Sequence, residues 1–176
     1  MVKDNFTDSH TEMASDSTMV NKVWELLNTI PDPDIPVISI VELGIVRKVE
    51  IVSQKVIVTI TPSYSGCPAM NIFTDDIRQV LAANGFENIE IKTVLSPAWT
   101  TDWIKEDARE KMRQHGIAPP ENDPDGEFIF AKQKHVTCPR CGHADSRLVS
   151  QFGSTPCKAL WYCNNCNQPF EYFKCH

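Results

Sequence analysis

The sequence has few basic residues and lacks any long apolar run, and these two deficits exclude whole classes of function. Its 176 residues include 17 lysines and arginines against 23 acids, a net charge of −6 at pH 7. An acidic chain of this kind is unsuited to general binding of nucleic acid or of anionic membranes. No stretch approaches the ~20 uninterrupted apolar residues of a membrane helix, and residues 1–18 lack the apolar segment of a signal peptide. We therefore expect a cytoplasmic protein that binds neither nucleic acid nor membranes.

Hydrophobic periodicity predicts an α+β fold class, with a small mixed sheet and helices. Two cysteine pairs with short strand-like runs between them predict that a small zinc-ribbon β domain follows. We assign residues 1–18 to a disordered tail, 19–118 to the α+β domain, 119–134 to a linker and 135–176 to the ribbon. Within the α+β domain, the predicted helices are 19–30 (with Ser17 or Thr18 as N-cap), Pro68 to about Asn84, and Thr100 or Thr101 to Gly116. The predicted strands are Val37–Leu43, Ile45–Val52, Lys55–Thr61 and Asn88–Leu95.

Two Cys-x-x-Cys pairs predict a metal site in the ribbon. Twenty-one residues separate the first pair, Cys138 and Cys141, from the second pair, Cys163 and Cys166. Two residues between thiolates let each pair wrap one side of a tetrahedral ion, and Gly142 can supply a positive-φ turn. Four sulfurs hold Zn²⁺ or a single iron equally well by geometry; we favour zinc and keep iron as the alternative. A site closed by four cysteines is structural rather than catalytic.

The ribbon segment is short and rich in aromatic residues. It contains six of the fifteen aromatics and six of the seven cysteines, and a segment this short rarely folds without a metal. The paired spacing leaves out Cys157, Cys175 and His176. Cys157 could be a packed thiol, and Cys175 and His176 could form a frayed chain end. An auxiliary metal role is the alternative for all three. We expect the aromatics to divide between a core and a docking surface for protein partners: Phe152, Trp161, Tyr162, Phe170, Tyr172 and Phe173.

Cys67 is the one cysteine outside the ribbon, and it precedes a predicted helix. Backbone N–H groups and the helix dipole favour a thiolate at such a position. A reactive thiolate and a buried capping thiol are both compatible with the sequence. No histidine is positioned to form a Cys–His nucleophile with Cys67, which argues against a thiol hydrolase and against independent catalysis.

Asp32, Asp34 and Glu42 are the acidic candidates in the same domain. In a turn that contains Pro31, Pro33 and Pro36, Asp32 is expected to cap the turn. Asp34 is instead a candidate to face Cys67 across the loops.

Three segments resemble the MIP18-like domain family, which is linked to iron–sulfur cluster assembly: DPDIPVISIVELGIV (32–46), TITPSYSGCPAM (59–70) and LSPAWTTDW (95–103). The added CPRCG and CNNC motifs, together with FGSTPCKALW (152–161) and FEYFKC (170–175), resemble the PaaD family. Members of that family are the D-type (in some genomes J-type) subunits of the phenylacetyl-CoA oxygenase, or ring 1,2-epoxidase, system.

The resemblance implies an accessory role in aerobic phenylacetate degradation. The implied partners are the di-iron oxygenase and the iron–sulfur flavoprotein reductase of that system, and the implied task is to assemble or maintain an iron–sulfur or iron centre. The position that matches Cys67 is the suspected cluster-handling thiol of the wider family. The acid that matches Asp34 is more often Glu there, so Asp34 keeps the carboxylate with a shorter reach. A permanent cluster needs about four protein ligands, so one cysteine suggests transient holding or a cluster that bridges two chains of a homodimer.

Two other functions compete with this hypothesis. The chain could be a direct subunit of the oxygenase that aids turnover or electron transfer, which the naming of the resembling family suggests. It could also be a nucleic-acid-binding ribbon, because aromatics can stack on bases. The net charge of residues 135–176 is only +2, from four basic residues and two acids, and this disfavours the second alternative.

Overall fold

The chain divides into two units, and a short loop from its N-terminal half belongs to the second of them. The computed structural model describes residues 9–120 and 136–174, with side chains from residue 17 onward. The first unit contains the described residues up to Pro31 together with Ser39–Trp99. The second contains Asp32–Ile38 and the described residues from Thr100 onward. This division differs from the expected boundary near residue 118, because the loop 32–38 and residues 100–118 group with the ribbon.

The first unit is a three-stranded sheet with two helices. The strand order is β1-β2-β3, with β1 and β2 antiparallel and β2 and β3 parallel. Its elements are α1 (Ser9–Leu27), β1 (Val46–Val52), β2 (Lys55–Ile60), α2 (Ala69–Ala83) and β3 (Ile89–Thr93).

Local patterns account for β2 and α2. In β2 every second side chain is buried, as the two-residue period of a strand requires. In α2 the buried side chains of Phe73, Ile77 and Leu81 recur every four residues, which is the spacing of one helix face. Gly85, with φ +87, follows the end of α2, and a glycine in this conformation is the usual terminator of a helix.

The first helix begins earlier than expected. It starts at Ser9, whereas Ser17 or Thr18 was expected as N-cap, so the predicted start of this helix is wrong. Residues 1–8 lie outside the described part of the chain. No glycine or proline interrupts residues 9–27, and extending a helix that has already formed costs far less than starting a new one.

The prediction of a strand over Val37–Leu43 is wrong. The segment forms consecutive turns, with one isolated β-bridge between Pro31 and Ser39. The backbone N–H of Ser39 donates to Glu42 Oε2 at 2.9 Å, and the backbone N–H of Glu42 donates to Ser39 Oγ at 3.0 Å. This reciprocal pair is a capping box, which competes with strand pairing for the same backbone groups.

The second unit contains one helix and a four-stranded sheet. The strand order is β4-β7-β6-β5, in which β4 pairs parallel with β7 and the other pairs are antiparallel. Its elements are a 3₁₀ turn (Thr101–Trp103), α3 (Glu106–Gln114), β4 (Ile117–Ala118), β5 (Ser146–Ser150), β6 (Lys158–Cys163) and β7 (Pro169–Phe173).

The single helix expected from Thr100 or Thr101 to Gly116 is therefore interrupted. Ile104 and Lys105 have extended backbone angles, with ψ of 122° and 148°. Thr100 caps the short first turn through a hydrogen bond from the Asp102 N–H to its Oγ1. Within the described ranges 9–120 and 136–174, no helix combines the length and the apolar character needed to cross a bilayer.

Replacing Ser39 should destabilise the first unit. Ser39 Oγ accepts from the Glu42 N–H and donates to Asn28 Oδ1 at 2.7 Å, so Ser39→Ala should lower the free energy of unfolding by about 1 kcal/mol, the usual cost of a lost cap. Chemical denaturation measures the difference, with Ser65→Ala as the control because Ser65 is exposed. Equal stability of the two variants would contradict the capping role.

Candidate metal centre and iron-handling residues

The four paired cysteines converge on one point in the second unit. Cys138 and Cys141 lie in the turn before β5, Cys163 is the last residue of β6, and Cys166 lies in the turn between β6 and β7. Their sulfur atoms all lie within 4.8 Å of one another. The Cys138–Cys166 and Cys141–Cys163 sulfur pairs are 3.8 and 3.6 Å apart. A tetrahedral ion with Zn–S bonds of about 2.3 Å holds its sulfurs about 3.8 Å apart, so this arrangement fits such an ion.

Each Cys-x-x-Cys pair closes with a similar tight turn. In the first, the Gly142 N–H donates to the Cys138 carbonyl at 2.9 Å, and Gly142 has φ +70 as predicted. In the second, the Asn167 N–H donates to the Cys163 carbonyl at 3.0 Å, and Asn167 has φ +58. Asparagine is one of the few non-glycine residues that tolerate this conformation, so both turns are encoded locally.

The protein alone cannot hold four ionised sulfurs this close together. The backbone N–H of His143 lowers the pKa of Cys141 to about 6. Burial raises the pKa of Cys138, although the backbone N–H groups of Arg140 and Cys141 oppose that rise. A bound cation would compensate for the charge of four thiolates, which are the form that binds a metal. The donor set and its geometry therefore suit a metal ion.

Most of the ribbon aromatics belong to its core. Trp161, Phe170, Tyr172 and Phe173 are buried, and the Trp161 and Tyr172 rings meet edge to face with centroids 6.2 Å apart. These four residues cannot form the docking surface expected for the ribbon aromatics. Phe152 is different, because 66% of it is exposed.

Cys67 lies at the approach to α2, as predicted. It precedes Pro68, the N-cap of the helix, and it is partly exposed. Gly66, with φ +94, brings the chain into a turn in which the Cys67 N–H donates to the Tyr64 carbonyl at 3.2 Å. The partial exposure disfavours the alternative of a buried capping thiol.

Asp34 belongs to the second unit, whereas Cys67 belongs to the first. Asp34 Oδ2 accepts a hydrogen bond from Cys157 Sγ at 3.7 Å, and the Asp34 main-chain carbonyl accepts one from Lys158 Nζ at 3.1 Å. Asp32 caps the turn, since its Oδ1 accepts from the backbone N–H groups of Asp34 and Ile35, each at 2.8 Å. No local signal in the sequence connects Cys157 or Lys158 with this loop.

Cys157 is the only one of the three unassigned ribbon residues that can be described. It is buried, as a packed thiol would be. Cys175 and His176 lie outside the described residues.

The sequence profiles of two families match the chain in succession. Residues 21–93 match the family described as iron–sulfur cluster assembly protein, and residues 122–174 match the PaaD zinc beta ribbon domain. An Escherichia coli (strain K12) protein, named as the D-type subunit of a "Putative 1,2-phenylacetyl-CoA epoxidase", is 46% identical over 157 residues, which are 89% of this chain and 93% of that protein. The chain belongs to the PaaD family.

Two further comparisons each cover about half of this PaaD-family chain. A Porphyromonas gingivalis protein named "Fe-S protein maturation auxiliary factor" is 32% identical over 88 residues, covering 49% of this chain and 83% of that protein. The crystal structure of the DUF59 domain from Bacillus anthracis aligns with a TM-score of 0.52 at 27% identity, covering 55% of this chain and 93% of that one. These matches confirm the predicted fold class of an α+β domain joined to a zinc ribbon.

Loss of one paired cysteine should abolish metal binding, whereas loss of Cys157 should not. Cys163→Ala removes a ligand from a four-sulfur site, so elemental analysis of the purified protein should find far less than one ion per chain. Cys157→Ser is the matched control, because Cys157 is also a buried ribbon cysteine but lies outside the four-sulfur cluster. The same measurement distinguishes zinc from iron in the wild type. Equal metal content in the two variants would contradict the assignment.

Proposed function

We propose that this protein is an accessory factor of the phenylacetyl-CoA ring 1,2-epoxidase system that assembles or maintains an iron–sulfur or iron centre of the oxygenase or reductase. The iron or cluster is its cargo and not a resident cofactor. The observation that carries this proposal is a partly exposed Cys67 beside α2, in a domain that matches the iron–sulfur cluster assembly family. The names of the relatives support the pathway and the type of task.

A single thiol suits a carrier. Iron–sulfur clusters are held by Cys thiolates, and a stable cluster takes about four of them. Cys67 supplies one ligand and leaves the remaining positions to a partner, so the cargo can be passed on. The Asp34 carboxylate is a second candidate for handling iron, because carboxylate oxygens are good iron ligands.

The ribbon has a separate, structural task in this proposal. Cys138, Cys141, Cys163 and Cys166 hold Zn²⁺ permanently, and a closed site of this type leaves no position open for chemistry. The exposed Phe152 then contributes to the surface that meets the oxygenase or reductase.

The decisive variant is Cys67→Ser. It should leave the fold and the ribbon metal unchanged, because Cys67 lies outside the four-sulfur cluster. The oxygenase or reductase purified from cells with this variant should be deficient in iron, which elemental analysis and absorption spectroscopy measure. Ser65→Ala, two residues away at an exposed position of the same loop, is the matched control and should yield fully loaded partners. Fully loaded partners from the Cys67→Ser cells would refute the delivery role.

A direct role in the oxygenase is the second candidate, and the name of the Escherichia coli relative favours it. Purified protein is added to fully metallated oxygenase and reductase, and the epoxidation rate is measured. A maturation factor should leave this rate unchanged at any concentration. A rate that rises with the added protein would instead support a subunit that takes part in turnover.

Phe152→Ser should weaken partner binding without unfolding the ribbon. With 66% of the residue exposed, its loss removes little buried area, whereas aromatic side chains often dominate the binding energy of an interface. We expect weaker co-purification with the oxygenase or reductase at unchanged ribbon metal content. Val149→Ser is the control, because Val149 is also an exposed apolar residue of the ribbon. Equal binding by wild type and Phe152→Ser would exclude Phe152 from the interface.

A further inference from the structure

We propose that the zinc ribbon positions the Asp34 loop, through hydrogen bonds from the Cys157 thiol and the Lys158 ammonium to Asp34. Cys157 and Lys158 are therefore positioning residues for the Asp34 carboxylate. That this carboxylate handles iron rests on the proposed function above. Both contacts lie within the second unit, which contains the loop 32–38 and the ribbon.

The first contact fixes the carboxylate itself. Cys157 Sγ lies 3.7 Å from Asp34 Oδ2 and 3.1 Å from Thr155 Oγ1. Burial raises the pKa of Cys157 to about 11, so at neutral pH the group is a thiol and can donate its proton to the carboxylate. A thiol in this state is a poor nucleophile and a poor metal ligand, which leaves hydrogen bonding as its role.

The second contact fixes the main chain of the loop. Lys158 is 4% exposed, and its ammonium lies between the Asp34 carbonyl at 3.1 Å and Glu171 Oε2 at 2.9 Å. Burial alone would raise the pKa of Glu171, but hydrogen bonds from the Ser154 N–H and from Lys158 lower it, so Glu171 remains an anion. A buried lysine needs an anionic partner such as Glu171. The ion pair leaves other N–H groups of the Lys158 ammonium to donate to the Asp34 carbonyl.

The main chain of Cys157 and Lys158 is itself held on both sides. The Lys174 N–H donates to the Cys157 carbonyl at 2.9 Å, and the Gly153 N–H donates to the Lys158 carbonyl at 2.8 Å. Gly153 packs so closely that a Cβ there would lie 2.8 Å from Glu171 Oε1. The two side chains therefore project from a fixed backbone.

Strand β6 joins the contact between Lys158 and Asp34 to the metal site. Lys158 is the first residue of β6 and the metal ligand Cys163 is the last. The ribbon fold that the metal stabilises is therefore also the support of the Asp34 loop. Asp34 is only partly buried and lines a cavity of about 300 Å³ with His115 and Arg140, so this part of the loop is open to solvent.

The test uses the full-length, metal-loaded protein and measures the loop directly. Amide hydrogen exchange reports the order of residues 32–38, and the ¹³C chemical shift of the Asp34 carboxyl reports its hydrogen bonding. The variants are Cys157→Ala, Cys157→Ser, and the double variant Lys158→Met/Glu171→Gln, which removes both charges of the buried pair. Elemental analysis verifies that each variant keeps its ribbon metal.

We expect Cys157→Ala to shift the Asp34 carboxyl signal and Cys157→Ser, which restores a donor, to return it toward the wild-type value. The double variant should speed exchange in residues 32–38 by about tenfold or more, with α2 as the internal control. Unchanged exchange and carboxyl shift in all variants would overturn the positioning role, whatever happens to the iron content of partner proteins. Conversely, a released loop with fully loaded partners would uphold the positioning and refute the role of Asp34 in iron handling.

Discussion

The second unit depends on the mutual approach of four sulfur atoms. Two sulfur pairs at 3.6 and 3.8 Å would repel one another as thiolates, and only a cation makes their approach favourable. The metal replaces the large apolar core that a ribbon of this size cannot build. The core that does exist, around Trp161 and Tyr172, includes two of the ligands themselves, Cys138 and Cys163. Metal binding and core packing are therefore coupled in this unit.

Features encoded by neighbouring residues could be predicted from the sequence. The periodicity of α2, the alternation in β2 and the spacing of the two cysteine pairs each determine a local structure on their own. The segment 37–43 shows where such reasoning fails, because its β-branched residues are typical of a strand. The Ser39-x-x-Glu42 pattern contained the correct signal, since a capping box is readable from sequence, but the apolar run obscured it.

Contacts between residues distant in the chain could not be predicted. Cys157 meets Asp34 across 123 residues of sequence, and β4 pairs with β7 although β5 and β6 lie between them in the chain. Neither spacing nor periodicity carries information about such pairs. For the same reason, the sequence contained no sign that Cys157 donates a hydrogen bond to the Asp34 carboxylate. Resemblance to a family suggested candidate residues but not their neighbours.

The two kinds of cysteine site differ in how reversibly they can bind a metal. A site with four protein thiolates satisfies every coordination position of its ion, so nothing in the ribbon drives release to another protein. A carrier needs the opposite property, namely a ligand set too small to hold the cargo alone. If this chain carries iron, the cargo site therefore lies outside the four-cysteine cluster, and Cys67 is the cysteine that we propose for it. The ribbon then acts on the cargo indirectly, by the order that it imposes on the residues packed against it.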